Sequence, residues 1–149
     1  MKLSVTHFRQ QQPYTCLVTC VRMILAYAGQ DHTEDELSNA FNTIPMWGTQ
    51  PEAVISGLET LGYHGLWFEN AGLERLFDLL NHGWPVIVFL RAADLPHGHT
   101  GIHAIVIIGI EGNDILYLDP TVEKELHLDI PLFLVAWANL GNQGMVAWI

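Results

Sequence analysis

Residues 10–29, QQQPYTCLVTCVRMILAYAG, join a polar lead-in to a cysteine and then to a long apolar run. From Thr15 onward only Thr19, Arg22 and Ala26 lack a sizeable apolar body or sulfur, and they recur at i, i+3 and i+7. That spacing predicts a helix buried on most of its circumference, with one narrow face for water. Gly29 supplies its stop. Cys16 falls at the helix N-terminus, where unpaired backbone N–H groups and the positive end of the macrodipole favour an anion. A thiol there is pushed toward thiolate, the form that attacks carbonyl carbon. Cys20, one turn further in, loses that advantage and reads as a packing residue.

Two distant residues extend the reading. His103 opens the apolar run HAIVIIGIE, and Asp119 closes ILYLD. A cysteine on a helix start, with a histidine and a carboxylate on neighbouring strands, is an arrangement for cysteine-based acyl transfer. Each member has its own alternative: Cys16 as a small buried hydrophobe, His103 as a satisfied core histidine, Asp119 as an Asp-Pro turn. Strand register sharpens the choice. The midpoint between 103 and 119 is Glu111, beside Gly112-Asn113, which has two-residue hairpin chemistry. An ideal turn there would put His103 and Asp119 on opposite faces, because strand side chains alternate. The triad therefore requires an odd-length loop or a bulge, with Gly109 the candidate position.

Helical signals dominate the first part of the chain and strand signals the rest. Residues 3–8 are expected as an edge strand, and Thr33 with Glu36 has capping-box spacing for a helix to about Phe41. Residues 42–50 read as a loop, Pro51 opens a helix ending near Leu61, 64–68 form a short strand, and 73–81 an amphipathic helix stopped by Gly83. Strands follow at 85–90, 103–110, 115–118 and 125–130, then a short helix at 131–139 and a terminal strand or docked tail at 145–149. The order predicts one α+β domain over residues 1–149.

Half of the 149 residues are hydrophobic and 15% are charged, which suits a dense core and argues against disorder. Acidic residues number 16 against six Lys and Arg, a formal net charge of −10. Nucleic acid is excluded as an expected partner, since phosphate binding needs clustered cations. No apolar run is long enough to span a bilayer, and MKLSVTHFRQQ lacks a signal-peptide core, so a cytoplasmic, non-membrane-spanning protein is expected. Two cysteines four residues apart do not suggest a disulfide framework.

Gln10 six positions before Cys16, Cys20, the helix end MILAYAG, and His103 followed by Asp119-Pro120 together resemble the bacteriocin-processing cysteine peptidases. These are papain-like domains that remove double-glycine leaders, with stand-alone relatives, and the resemblance covers most of the chain. It implies a papain-like fold, with Cys16 on the central helix of the helical half and with His103 and Asp119 on the C-terminal antiparallel sheet. It also implies Cys16 as nucleophile, His103 as general base and then acid, Asp119 as the group orienting His103, and Gln10 as an oxyanion donor beside the Cys16 N–H. The implied substrate is a peptide or protein, with a leader ending in two small residues as the likeness suggests. No cofactor or metal is expected.

Leu17 departs from the pattern, since members commonly carry glycine directly after the nucleophile. No transporter segment follows the domain here, whereas the best-known members are the front part of an exporter; a stand-alone peptidase is expected. Two alternatives keep the fold: a catalytically silent peptide-binding module, and an amidase or acyltransferase using the same triad. His97-Gly98-His99 with His103 and Cys16 imitates a transition-metal site. Without a spaced set of further ligands it reads better as a polar rim beside His103. Trp47, Trp67 and Trp84 suit a peptide groove, or core and rim packing.

Overall fold

The apolar run after Cys16 forms helix α1, Cys16–Tyr27, in the computed structural model, which describes residues 1–149. Val18, Val21, Met23 and Leu25 on it are at most 1% exposed. Burying each such side chain contributes about 1.5–3 kcal/mol, against roughly 1–2 kcal/mol of backbone entropy per residue. Packing therefore holds α1 more than propensity does, since its β-branched residues are mediocre helix formers. Gly29, beyond the C-cap Ala28, takes φ +87° and ends it.

Thr19 corrects the expected solvent face. Arg22 and Ala26 are half-buried, but Thr19 is fully buried. Helix α2, Glu34–Ala40, lands on that side and brings the Glu34 carboxylate to 2.7 Å from the Thr19 hydroxyl. A polar residue on a polar stripe thus found a buried partner rather than water. The capping box at the start of α2 forms as expected, from Thr33 and Glu36.

Helix α3, Pro51–Thr60, joins α1 and α2 on one face of a six-stranded antiparallel sheet. The strands are β1 (His64–Phe68), β2 (Val86–Arg91), β3 (Ile102–Glu111), β4 (Asp114–Leu118), β5 (Leu126–Asp129) and β6 (Gly144–Trp148), in spatial order β1-β6-β2-β3-β4-β5. Helices α4, Leu73–Asn81, and α5, Ile130–Ala138, cover the other face. Alternate residues divide between the two cores. Ile87, Phe89, Ala104 and Val106 pack toward α1, whereas Val88, Leu90, Ile105 and Ile107 pack toward α4 and α5. Covering on both faces is why β2 and β3 read as unbroken apolar runs rather than as alternation. The α+β order is as expected, and no helix is long and apolar enough to cross a membrane.

The hairpin between β3 and β4 carries the irregularity that the triad requires. Glu111 pairs with Asp114 around Gly112-Asn113, and Gly109 pairs with Leu116, but Ile107 pairs with Tyr117. Ile108 is the extra residue, a β-bulge that shifts the register by one. Val106 then faces Leu118, so odd-numbered residues oppose odd-numbered ones toward the far end and His103 and Asp119 share a side.

The first residues of the chain sit against this bulge, on the edge of β3 that β2 has left. The Leu3 N–H donates to the Ile108 carbonyl at 2.8 Å and the Ile110 N–H to the Met1 carbonyl at 3.0 Å. The edge strand expected over 3–8 does not form; pairing is confined to one bridge just before it, Lys2 to Gly109, because only that short stretch of β3 is free to pair. A Cβ on Gly109 would lie 2.3 Å from the Met1 carbonyl oxygen. Gly109→Ala is accordingly expected to cost about 1–3 kcal/mol of stability, read as a lower urea midpoint. An unchanged midpoint would mean that the N-terminal segment does not dock there.

Candidate active site

Three elements converge at one end of the sheet: the N-terminus of α1, the start of β3 and the residues just after β4. His103 is 6% exposed and Asp119 fully buried. The His103 Nε2 lies 2.7 Å from Asp119 Oδ1. Thr121 donates to the same oxygen twice, from its backbone N–H at 2.9 Å and its hydroxyl at 2.7 Å. With Nε2 engaged, Nδ1 is the imidazole nitrogen left to face the Cys16 thiol, and the titration of each group is shifted by the other.

The titration of these groups follows from competition between burial and pairing. Burial is the largest influence on Asp119 and favours its neutral form. The hydrogen bond and charge of His103, with the Thr121 donors, outweigh it and hold the carboxyl down at about 2. Burial alone would lower His103, but hydrogen bonds to Asp119 and then Cys16 raise it to about 9. Burial alone would raise Cys16; the His103 hydrogen bond and charge, and the N–H groups of Ala104 and Leu17, bring it below the ordinary thiol value. Each shift runs in the direction that favours charge on its group, thiolate on Cys16, imidazolium on His103 and carboxylate on Asp119. Cys20, wholly buried four residues further along, is pushed well above the ordinary value and has no such partners.

Gln10 lies beside this group because its backbone N–H donates to the Pro120 carbonyl at 2.8 Å. Its side-chain Nε2 donates to the Gln12 carbonyl at 2.8 Å, and its buried Oε1 has no partner. The next residue is anchored by a group that the sequence did not single out. Glu34, 2% exposed, accepts the Gln11 N–H at 3.0 Å and meets the Thr19 hydroxyl. In sequence Glu34 looks like an ordinary first-turn acid of α2; only the packing of α2 on α1 gives it this task. Thr121 was not singled out either; the signal that could have found it is Asp119 before a turn, since an Asp side chain there accepts the backbone N–H two residues on.

A cleft of about 470 Å³ opens over Cys16 and His103. Leu17 forms part of its wall, and Trp47 and Trp67 line it. Trp84 does not; it packs against Trp148 at a ring separation of 5.6 Å. Met46 and Trp47 stand 81% and 85% exposed at its rim. His97, His103 and Asp119 place donor atoms within 4.8 Å of one another. His99 is exposed and its backbone N–H donates to His97 Nδ1 at 3.1 Å.

A family model described as peptidase C39-like matches residues 2–145. This chain belongs to the peptidase C39-like family. Solved structures show the same fold. One is of a Bacillus anthracis protein assigned as a C39-like peptidase, at TM-score 0.82 and 18% identity, covering 100% of this chain and 98% of that one. The peptidase domain of Streptococcus ComA, a bi-functional ABC transporter of a quorum-sensing pathway, matches at TM-score 0.76 and 17% identity over 95% of this chain and 96% of that one. A double-glycine motif protease from an AMS/PCAT transporter, in complex with its leader peptide, matches at 0.74 and 14% over 99% and 93%. No curated protein matches the chain. The fold of this C39-like chain is thus the papain-like one that the resemblance implies, with Cys16 on a helix of the helical half, His103 on the sheet and Asp119 just after β4.

Replacing Glu34 by alanine leaves the part-buried Gln11 N–H without an acceptor. Glu34→Ala is expected to lower unfolding stability by about 1–3 kcal/mol, with Glu34→Gln milder because it retains an acceptor oxygen. Equal urea midpoints for the alanine variant and the parent would show that the 10–12 segment is not held from Glu34.

Proposed function

We propose that this chain is a cysteine peptidase in which Cys16, His103 and Asp119 form the catalytic triad and Gln10 serves the oxyanion. The observation that carries the reading is the 2.7 Å bond between His103 Nε2 and Asp119 Oδ1, which leaves the other imidazole nitrogen to a thiol at a helix N-terminus. The Cys16 sulfur attacks the peptide carbonyl carbon, and the carbonyl π electrons move to oxygen. That oxyanion is met by the Cys16 N–H and by the Gln10 amide, once the latter turns from the Gln12 carbonyl. The intermediate collapses as His103 gives its proton to the leaving amine nitrogen, and a thioester remains on Cys16. His103 then takes a proton from water, the hydroxyl oxygen adds to the thioester carbon, and Cys16 leaves as thiolate.

A leader peptide cut after two small residues is the substrate class we favour. Two features support it. A relative of the same fold was solved with its leader peptide, and Leu17 stands in the cleft wall where bulky residues beside the scissile bond would crowd. Exposed Met46 and Trp47 on the rim suit apolar side chains of a bound peptide. The same rim would serve a silent binding module, which is the second reading.

The two readings part on the thiol. In a Cys20→Ala background, alkylation of Cys16 by iodoacetamide should persist well below the ordinary thiol pKa of about 8.5, because its folded value is lowered. His103→Ala should return it toward that value. Turnover, unlike alkylation, should fall again as pH rises through about 9, where His103 loses the proton it must donate. A thiol that titrates ordinarily and ignores His103 would leave only the binding module.

Removing the oxyanion donor is a separate measurement. Gln10→Ala should reduce kcat on a cleaved peptide by roughly 10²–10³ while leaving Cys16 alkylation near the parent rate. Undiminished turnover would remove Gln10 from the mechanism.

A further inference from the structure

His97 lies in the rim between β2 and β3, against the Asp119 carboxylate and the His103 ring. Its Nε2 is 3.2 Å from Asp119 Oδ2, and its ring meets the His103 ring edge-on at a centroid separation of 5.4 Å. Every hydrogen bond to the Asp119 side chain falls on Oδ1, from His103 and from Thr121 twice. Oδ2 and the His97 Nε2 are both buried, and neither has a hydrogen-bond partner of good alignment. The two orphans lie 3.2 Å apart, within hydrogen-bond distance but outside hydrogen-bond alignment.

The proton on His97 is set by its other nitrogen. Nδ1 accepts the His99 backbone N–H at 3.1 Å, so it carries no proton. The neutral ring must then carry its proton on Nε2, the atom that faces the carboxylate. A metal ion among His97, His103 and Asp119 would need the opposite tautomer of His97, with Nδ1 protonated against an N–H that already points at it. The site is built for donation rather than coordination.

We propose that His97 is a positioning residue for the triad, its Nε2–H holding Asp119 Oδ2 so that Oδ1 stays aimed at His103. This inference rests on the peptidase reading above. Thr121 cannot do this alone, because its donors compete with His103 for the same oxygen. Tethering the second oxygen fixes the carboxylate plane, and the His97 ring keeps water from the buried bond, where low dielectric strengthens it. The rim is braced to deliver His97. Arg91 and Asn139 donate to Asp94 at 3.1 and 3.2 Å, Leu95 is 4% exposed, and the Ala92 N–H donates to the Gly101 carbonyl at 2.7 Å. Gly98 and Gly101, at φ +65° and +91°, let the chain fold back between these anchors.

Other groups face the pair too: Cys16 and Cys20 from α1, Tyr117 from β4, His99 from the rim, and His7, whose Nε2 lies 2.8 Å from the Asp119 backbone oxygen. The experiment must therefore separate the His97 donor from general disturbance. His97→Ala, His97→Gln and His97→Phe are compared in the full chain carrying Cys20→Ala, with folding checked by urea unfolding. The readouts are the pH midpoint of Cys16 alkylation by iodoacetamide and the far-downfield proton resonance of the His103–Asp119 bond. His97→Ala is expected to move the midpoint toward the ordinary thiol value, so that reactivity below it drops roughly three- to tenfold, and to broaden the resonance. His97→Gln, which keeps an N–H near the same place, should restore both. His97→Phe, which keeps only the ring, should not. If the alanine variant does not fold, the Gln and Phe pair carries the comparison. Identical profiles for the parent and His97→Ala, or for the Gln and Phe variants, overturn the proposal. An ordinary thiol in the parent itself sinks the peptidase reading instead, so the two failures are distinct.

Discussion

One surplus residue in β3, Ile108, governs the geometry of the site. A flawless hairpin around Gly112-Asn113 would send His103 and Asp119 to opposite faces of the sheet, and no side-chain rotation could bring them back. The bulge between Ile107 and Gly109 changes the parity, and the 2.7 Å bond between His103 and Asp119 becomes available. Beside the bulge, β2 pairing ends at Ile107, and Met1–Leu3 occupy the β3 edge it leaves, so close at Gly109 that no side chain fits there. From that anchor the chain runs along the end of β4. There His7 approaches the Asp119 backbone oxygen and the Gln10 N–H reaches the Pro120 carbonyl. Strand register and the docked N-terminal segment thus place three of the four residues proposed for catalysis.

The fourth, Cys16, is placed by packing of a different kind. Helix α1 is anchored by apolar side chains that wedge between α2, α3 and the sheet, and its first residue projects from that anchored body into the cleft. Cys16 and Cys20 make an internal comparison on one helix. Burial pushes both thiols up, and only Cys16 has an imidazole and free N–H groups to reverse the effect. Position at the helix start is not by itself what lowers Cys16. The hydrogen bond and then the charge of His103, itself sustained by Asp119, do most to lower it.

Asp119 is the member most dependent on its surroundings. A fully buried carboxylate is costly unless its lone pairs are met. Here one oxygen is crowded with donors while the other has only the misaligned His97. That imbalance makes the rim loop part of the site's energetics, although it contributes none of the reacting atoms. Glu34 is the parallel case, a buried carboxylate bonded to Thr19 of α1 and holding the segment that carries Gln10.

Local pattern was enough for much of this protein. The periodicity of residues 15–27, the capping box at Thr33, Pro51 at a helix start and the apolar runs of β2 to β4 are short-range signals, and each element formed within a residue or two of its expected bounds. The need for a bulge was also legible, because strand alternation is a matter of counting. Folding in three dimensions decided the rest. Thr19 turned from an expected solvent face to a buried partner, residues 3–8 formed no strand while Lys2 just before them made a single bridge, and Glu34 and His97 acquired roles that their neighbours in sequence do not announce. Backbone preference and side-chain period act over a few residues and are written in the chain. The value of a polar group, by contrast, depends on which distant donor or acceptor is buried beside it, and that is settled only when the elements pack.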